Sequence, residues 1–410
     1  MADYSKHRGK KNKNVKVLSN GIQIREQKGL IDYGLIFAVI LLILFGLLML
    51  YSATSYYAYE TQNGDSFFFV RKQCRNIVVG CVLGTMIIAF NYYRLRFLYK
   101  LAYILSFFLI CMVKTPLGIT KNGATRWVNL YFIQVQPAEV LKIAMILMLA
   151  LVITEQGERM RKPEVIIKVA TYYVIFPAIF LGVMTSNLSS AAVIVLIGLL
   201  IIFTFSKNWR FFFQVAGIGI CVLALVIAFH SITDRGGSGF RAKRITVWLN
   251  PEADAQGTGY QILQGKYAIG SGGFLGKGIG NGIQKVSIPE VYNDYIFSAI
   301  AEELGFVGIV LLAFLYLYIL YRMLAIAVNS PTLLGSIITW GVILHIGLHA
   351  YLNMGINSGL IPNTGVTLPL ISYGGSSMVL TMVEFALVFS VSLSIKQKEF
   401  LRETTVVREY

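Results

Sequence analysis

Residues 33–52 read YGLIFAVILLILFGLLMLYS, twenty positions without a charged side chain. A helix of about 20 apolar residues is long enough to cross the ~30 Å hydrocarbon core of a bilayer. No short apolar core followed by a small-residue cleavage site precedes this stretch, so we expect it to be retained as an anchor. The first apolar segment therefore predicts a membrane protein.

The same pattern recurs along the chain. Of the 410 residues, 56% are apolar and 14% are charged. Ten spanning helices would use nearly all of the apolar residues, so too few remain for the core of a separate water-soluble domain. We predict an all-α polytopic protein of the cell membrane, with a ten-helix domain over residues 33–396. The ten candidate spans are 33–52, 77–93, 97–113, 138–153, 167–184, 188–205, 211–230, 295–321, 333–354 and 376–395.

The distribution of Lys and Arg predicts the orientation. With residues 1–32 and 397–410 as cytoplasmic tails, inner segments hold 22 of the 36 cations and outer segments hold 6. The loop 231–292 is set aside in this comparison because long loops escape the charge bias. We expect both termini in the cytoplasm and this large loop, between helices seven and eight, outside. Topology explains most of the net charge of +16, which argues against nucleic acid as a partner.

Two charges fall inside the fourth span. Glu139 and Lys142 are three residues apart, so they share one helix face near its outer end. Charges at membrane depth usually line a cavity or pathway, although a buried pair can also serve packing alone. Arg126 and Trp127 precede this span at the outer interface, where simple anchoring would be their ordinary role.

Acidic residues close the large loop. Asp294 falls where the eighth span begins, while Glu302 and Glu303 lie two turns deeper and need partners there. From the residues alone, Asp294 is equally well explained as a functional carboxylate or as an acidic residue that favours the helix dipole.

The glycine-rich run 270–282 does not match a nucleotide phosphate loop. Lys277 is followed by glycine rather than by Ser or Thr, so no nucleotide is expected. Backbone amides of such a run could still approach an anionic group.

A polar stripe follows the ninth span. His345 and His349 are four residues apart, and Asn353 continues the same helix face. No third ligand is evident, so we interpret the stripe as facing the bundle interior rather than as a zinc site.

Several motifs occur together in a fixed order. They are NGATRW at 122–127, QPAE at 136–139 followed by Lys142, Tyr260-Gln261, PEVYND at 289–294, EELG at 302–305 and TLPLISYGGSS at 367–377. The set resembles the SEDS family (shape, elongation, division and sporulation) over about residues 30–396. It is most similar to the FtsW and SpoVE branch, with RodA the near alternative.

The resemblance implies a peptidoglycan glycosyltransferase that polymerises lipid II on the outer membrane face, in cell division or in sporulation or elongation. It implies a class B penicillin-binding transpeptidase and other divisome or elongasome proteins as partners. A divalent cation, Mg or Mn, is implied with unknown ligands. Asp294 is implied as the catalytic general base. The residues implied to contact substrate are Arg126, Glu139, Lys142, Gln261, Lys266 and Glu303.

Two positions depart from the family pattern. Ala138 stands where members often have Ser, which leaves the neighbouring charges intact. Asn187, at the start of the sixth span, stands where many members have Asp. Asn187 can form hydrogen bonds but cannot supply a charge.

Two other classes of function remain open from the residues. A lipid II flippase would also have ten spans with buried charges, although no inverted repeat is visible. A noncatalytic scaffold would explain the helices, but it gives no reason for Asp294, Arg126 and the Glu139/Lys142 pair to converge.

Overall fold

The chain is a mostly helical, multi-pass membrane protein. The computed structural model describes residues 15–17, 23–27, 31–121, 124–130, 134–214, 247–395 and 397–400. Within these ranges, eight helices are long and apolar enough to cross a membrane. They are Tyr33–Thr61, Phe68–Phe90, Pro137–Arg161, Pro163–Thr185, Leu188–Ser206, Ile296–Val328, Leu333–Asn357 and Gly375–Ser392. Each corresponds to one predicted span.

We number the described elements in chain order. The helices are α1 (Tyr33–Thr61), α2 (Phe68–Phe90), α3 (Arg96–Met112), α4 (Pro137–Gln156), α5 (Pro163–Ala170), α6 (Phe176–Thr185), α7 (Leu188–Ser206), α8 (Thr258–Gly272), α9 (Gln284–Ser287), α10 (Ile296–Val328), α11 (Leu333–Asn357) and α12 (Gly375–Ser392). The strands are β1 (Val15–Val17), β2 (Gln23–Gln27), β3 (Gly118–Lys121), β4 (Ala124–Asn129), β5 (Gln134–Val135) and β6 (Gln397–Phe400).

Two predicted spans are not among the eight. The third is α3, whose 17 residues are fewer than the roughly 20 that a full crossing needs. The seventh, at 211–230, lies outside the described residues from position 215 onward. The count of ten therefore stays a prediction.

The two terminal segments lie together. Strand β2 pairs antiparallel with β1 and with β6, which follows the last helix. At the start of α1, Asp32 accepts a hydrogen bond from the Leu35 amide at 2.9 Å and caps the helix. The same carboxylate binds Arg322 of α10 at 2.7 Å, which ties the two helices together at this end of the bundle.

Helix α4 is the centre of the bundle. Its most apolar window is 78% buried, whereas that of α2 is 17% buried. A helix that is apolar all round, as α4 is between Lys142 and its polar last turn, belongs in the interior. The charged pair of α4 is therefore held in the middle of the protein rather than at its surface.

The structure confirms the helical fold class and adds short elements to it. Strands β3, β4 and β5 form an antiparallel sheet before α4. The large loop contains the helices α8 and α9. Helix α2 begins at Phe68, so the cations at 71–75 lie on a helix and not in an outer loop. Hydropathy missed this first part of α2 because its polar side chains lower the apolar average.

The glycine-rich run is docked on a break in α10. Gly305 has φ +64°, which interrupts the helix. The amides of Lys277 and Gly278 donate to the carbonyls of Glu302 and Glu303 at 3.0 and 2.9 Å. A Cβ at Gly276 would lie 2.2 Å from the Glu303 carbonyl oxygen, so this approach requires glycine. The run is therefore a packed part of the fold.

Candidate functional site

A cavity of about 740 Å³ opens where the N-terminal ends of five described helices converge. First-turn residues of α2, α4, α7 and α12 line it, including Phe69, Glu139, Ser190 and Gly375. Asp294, two residues before α10, lines it as well. Helix N-termini carry partial positive charge and unpaired amides, so their convergence favours an anionic ligand.

Charged side chains are concentrated on the cavity wall. The cations among the lining residues are Lys72, Arg75, Arg126 and Lys142, and the carboxylates are Glu139, Glu290 and Asp294. The sequence predicted Arg126, Lys142, Glu139 and Asp294 as site residues, and the structure brings all four to this one cavity. Lys72 and Arg75 were missed, although their i,i+3 spacing directly before an apolar run was an available signal.

Arg126 is presented by the small sheet. It lies on β4, which pairs with β3 on one side and with β5 on the other. One residue after β5, the Gln136 amide donates to Ser376 Oγ at 3.1 Å, which joins the start of α4 to the start of α12. The sheet thus delivers a half-buried Arg126 to the wall beside the first turn of α4.

The predicted Glu139/Lys142 ion pair is confirmed, and two more side chains complete it. Lys142 Nζ lies 2.8 Å from Glu139 Oε1. It also lies 3.1 Å from His345 Nε2 and 3.0 Å from His349 Nε2. The polar stripe of α11 therefore faces the bundle interior, as predicted. We call Glu139, Lys142, His345, His349 and the Glu384 that binds His345 the Lys142 cluster.

The backbone of Asp294 is held by the same helix α11. Its carbonyl oxygen accepts from Asn353 Nδ2 at 2.9 Å and from Asn357 Nδ2 at 2.8 Å. Asn357 Oδ1 in turn accepts from the amide and hydroxyl of Ser298 in the first turn of α10. The N-cap residue of α10 is Tyr295, so the Asp294 side chain does not cap this helix. Asp294 lines the cavity instead.

Asp294 has an unusual acidity for a carboxylic acid. Burial raises its pKa from 3.8 to about 6; a backbone hydrogen bond opposes this, and the charge of Glu290 adds to it. At neutral pH the group is still ionised. A carboxylate with this pKa is a better proton acceptor than an ordinary one.

Three predicted contact residues do not line the cavity. Gln261 of α8 donates to the Pro289 carbonyl at 3.2 Å. Lys266, one turn further, packs beside Gly359 in the segment after α11. Glu303 is fully buried in an ion pair with Lys285 at 2.6 Å. A family resemblance does not determine side-chain direction, and these three side chains contact other parts of the protein.

Glu302 and Glu303 have the partners that their depth requires. Glu302 accepts from Lys277 Nζ at 2.7 Å and from the amides of Ile283 and Gln284. The amides that bind the Glu302 carboxylate therefore belong to the two residues that follow the glycine-rich run. Glu303 binds both Lys285 and the Ser52 hydroxyl of α1. We call Ser52, Lys277, Lys285, Glu302 and Glu303 the loop anchor.

Asn187 forms hydrogen bonds, as expected for an uncharged residue at this position. Its Oδ1 accepts from the Ser190 amide at 3.2 Å and caps α7, while its Nδ2 donates to Ser190 Oγ at 2.8 Å. It lines the cavity without contributing a charge.

Known proteins resemble this chain over nearly its whole length. The family model FtsW/RodA/SpoVE, described as cell cycle protein, matches residues 33–397. Stage V sporulation protein E of Bacillus subtilis is 34% identical over 367 residues, covering 88% of this chain and 96% of the relative. A probable peptidoglycan glycosyltransferase FtsW of Trichlorobacter lovleyi is 33% identical over 370 residues, covering 89% and 94%.

A solved structure gives the same result at the level of the fold. It is described as "Structural coordination of polymerization and crosslinking by a peptidoglycan synthase complex". One of its chains superposes with a TM-score of 0.71 at 26% identity, covering 88% of this chain and 97% of that chain.

Proposed function

This chain belongs to the FtsW/RodA/SpoVE family of cell cycle proteins, and from that premise we propose that its cavity polymerises lipid II. The chain is a peptidoglycan glycosyltransferase, as the FtsW relatives that it matches over most of their length are named. The proposal concerns where the reaction takes place and which residues perform it.

One observation carries the proposal. One cavity is lined by four cations, by the N-terminal ends of five helices and by a carboxylate with a raised pKa. The cations and helix ends suit the diphosphate of a lipid-linked sugar, since both stabilise negative charge. The carboxylate suits the other half of the reaction, because a hydroxyl must lose its proton to become a nucleophile.

The proposed step is a single displacement. The sugar 4-hydroxyl of the acceptor lipid II attacks the anomeric carbon of the growing chain, and Asp294 accepts the hydroxyl proton. A new glycosidic C–O bond forms while the bond from the anomeric carbon to the diphosphate breaks. The bonding electrons leave with the undecaprenyl diphosphate, and the configuration at the anomeric carbon inverts.

The leaving group requires charge stabilisation. Arg126 and Arg75 can each offer a bidentate guanidinium to phosphate oxygens, and Lys72 can offer an ammonium. Lys142 of α4 adds a further positive charge on the cavity wall. The donor carries its own activated bond, so the step needs no nucleotide.

A divalent cation, Mg or Mn, is part of the proposal. Among the described residues, no three His, Cys, Asp or Glu side chains are grouped as a metal site. Mg²⁺ is often held by one carboxylate together with substrate phosphate oxygens, so a dedicated protein cage is not required. The exposed Glu290 on the cavity wall is the residue that would hold it. Such an ion would neutralise charge on the diphosphate.

We also propose the setting. The site faces the outer side of the cell membrane, and the partner is a class B penicillin-binding transpeptidase that crosslinks the strands. Support comes from the solved relative, which is a peptidoglycan synthase complex that coordinates polymerization with crosslinking.

The test is polymerisation of lipid II in detergent by the purified protein with its partner, with and without a chelator. We expect Asp294→Asn to lower the rate about 10²- to 10⁴-fold, because the amide cannot accept the proton. Glu252→Gln is the matched control, an exposed carboxylate of the same outer region that does not line the cavity. Near wild-type rates for Asp294→Asn would remove Asp294 as the base.

The same assay separates the enzyme from the flippase. Detergent micelles have no second compartment, so a transporter alone would produce no glycan strands there. Polymer formation that depends on Asp294 is expected only for the polymerase.

A further inference from the structure

A buried carboxylate lies behind the cavity wall, outside the proposed reaction. Glu384 of α12 is fully buried, and both of its oxygens lie 2.8 Å from His345 Nδ1. Neither Glu384 nor His345 is among the described residues that line the large cavity. A carboxylate at this depth is expensive, so its retention points to a role. His345 connects to the site by its hydrogen bond to Lys142 and by packing on the ring of His349, whose centroid lies 4.4 Å from its own.

The hydrogen bonds determine the form of His345. The Lys142 ammonium has only donors, so the Nε2 of His345 must accept from it. The Nδ1 of His345 therefore carries the proton and donates to Glu384. His349 is oriented in a similar way, since its Nε2 faces Lys142 and the ring also bonds the backbone of Thr367.

All three hydrogen-bond donors of the Lys142 ammonium have partners. Its three N–H groups face three acceptors at 2.8, 3.1 and 3.0 Å, on Glu139, His345 and His349. It can therefore act on a bound diphosphate as a charge held at a fixed place on the wall, without giving up one of these bonds.

His345 also separates two opposite charges. The Lys142 ammonium and the Glu384 carboxylate bind the two opposite nitrogens of its ring. A lysine ammonium sits on a flexible four-carbon stem, so it can move to another partner. Without the ring, the ammonium would be drawn toward Glu384 and away from the cavity, since a buried carboxylate without a partner is costly.

We propose that His345, oriented by Glu384, is a positioning residue that holds the Lys142 ammonium at the cavity wall for diphosphate binding. The inference rests on the proposed function, because it assumes that the cavity binds a lipid diphosphate. His345 and Glu384 do not line the cavity, so they would act on the substrate through Lys142. Their effect should therefore be on affinity and should depend on hydrogen-bonding geometry.

The first test compares two replacements of His345 in the polymerisation assay. His345→Leu removes both hydrogen bonds, and we expect KM for lipid II to rise about 10- to 100-fold with a smaller change in kcat. His345→Gln keeps an acceptor for Lys142 and a donor for Glu384, so KM should stay within about threefold of wild type. Equal KM values for the two variants would overturn the proposal.

The second test couples His345 to Glu384. Once His345→Leu is made, Glu384 becomes the competing partner for Lys142, so removing its charge should help. We expect His345→Leu/Glu384→Leu to recover most of the affinity lost in His345→Leu. A double variant no better than the single one would overturn the proposal, since a purely structural role predicts additive losses.

A variant on the same helix, α11, serves as the control for folding. Thr339→Val removes a fully buried hydroxyl that makes no hydrogen bond with the described residues. This variant should retain the wild-type KM and elution profile. Variants are compared only as folded, monodisperse fractions.

A binding measurement separates this inference from the proposed function. In an Asp294→Asn background, undecaprenyl diphosphate binding should weaken about 10- to 100-fold on adding His345→Leu, regardless of turnover. If polymerisation fails in the wild type but this binding loss is found, only the proposed function fails. If polymerisation proceeds and binding is unchanged, only the positioning role fails.

A spectroscopic signature completes the test. The chain has four histidines, so ¹⁵N-histidine labelling gives a spectrum that His345→Leu can assign. We expect the signals of the Nδ1–H tautomer for His345, which is the less common tautomer of imidazole in water. Observation of an Nε2–H tautomer would overturn the proposed hydrogen-bond direction.

Discussion

The Lys142 cluster and the loop anchor each contain a buried Lys–Glu ion pair, but the two pairs differ in their access to the cavity. Lys142 pairs with Glu139 at 2.8 Å, and Lys285 pairs with Glu303 at 2.6 Å. All four side chains are buried. The difference is that Glu139 and Lys142 line the cavity, whereas Glu303 and Lys285 do not.

Their surroundings explain the difference. The Lys142 cluster joins three helices, α4, α11 and α12, at the wall of an open cavity. The loop anchor joins the glycine-rich segment and α9 to α1 and α10. Its carboxylates accept hydrogen bonds from lysines, a hydroxyl and backbone amides. A buried ion pair is thus evidence of a site only when space for a ligand lies beside it.

The largest expected effect comes from replacing both members of each pair. Lys142→Met/Glu139→Leu should lower lipid II polymerisation about 10²- to 10³-fold, since it removes a cavity charge that we propose stabilises the substrate diphosphate. Lys285→Met/Glu303→Leu should keep most activity, because apolar replacement of a closed ion pair is often neutral for stability. Equal activity losses in the two double variants would erase the distinction.

The second effect is on stability and should be found in the loop anchor. Lys285→Met alone leaves the Glu303 carboxylate buried without its cation, which should cost about 3–5 kcal/mol of unfolding free energy. Adding Glu303→Leu should restore most of the thermal midpoint, measured in detergent. A single variant as stable as the double one would mean that the anchor does not hold the loop.

The third effect is the pH response of the cavity. Asp294 must be ionised to accept a proton, and its pKa is about 6. We expect kcat/KM to fall about tenfold per pH unit below pH 6, with little change from 7 to 8. The active double variant of the loop anchor should show the same acidic limb. A limb near pH 4 would indicate an ordinary carboxylate.

The smallest effect is the stability cost of burying the Asp294 carboxylate. The folded-state pKa of Asp294 lies above its ordinary value, so the folded state binds the proton more tightly than the unfolded state. Asp294 therefore favours folding below pH 4, and this contribution is lost as the pH rises through 6. Asp294→Asn should raise the melting temperature by about 1–3 °C at pH 8 and by less at pH 5. A lower melting temperature at pH 8 would contradict this.

Pattern alone predicted much of the architecture. Apolar runs predicted the eight long helices, because a bilayer demands about 20 apolar residues from any helix that crosses it. The i,i+3 spacing of Glu139 and Lys142 predicted their ion pair, and the i,i+4 spacing of His345 and His349 predicted an inward stripe. These are local properties of a helix, so the sequence contains them.

Contacts between segments that are distant in the chain could not be predicted from local sequence patterns. The first turns of α2 were missed because cavity-facing polar residues lower hydropathy. Glu384 received no role, although a lone carboxylate in an apolar span was a signal that could have found it. The family resemblance implied substrate contacts for Gln261, Lys266 and Glu303. Their side chains contact other parts of the protein.

The sequence by itself determined that this is a polytopic membrane protein, which family it resembles and which residue types carry charge at membrane depth. Only the tertiary structure decided which of those charges share the cavity. Lys142 meets His345 across 203 positions of chain, and Ser52 meets Glu303 across 251. Helical periodicity is set by neighbouring residues, whereas the surroundings of a buried charge are set by helices that pack together from remote parts of the chain.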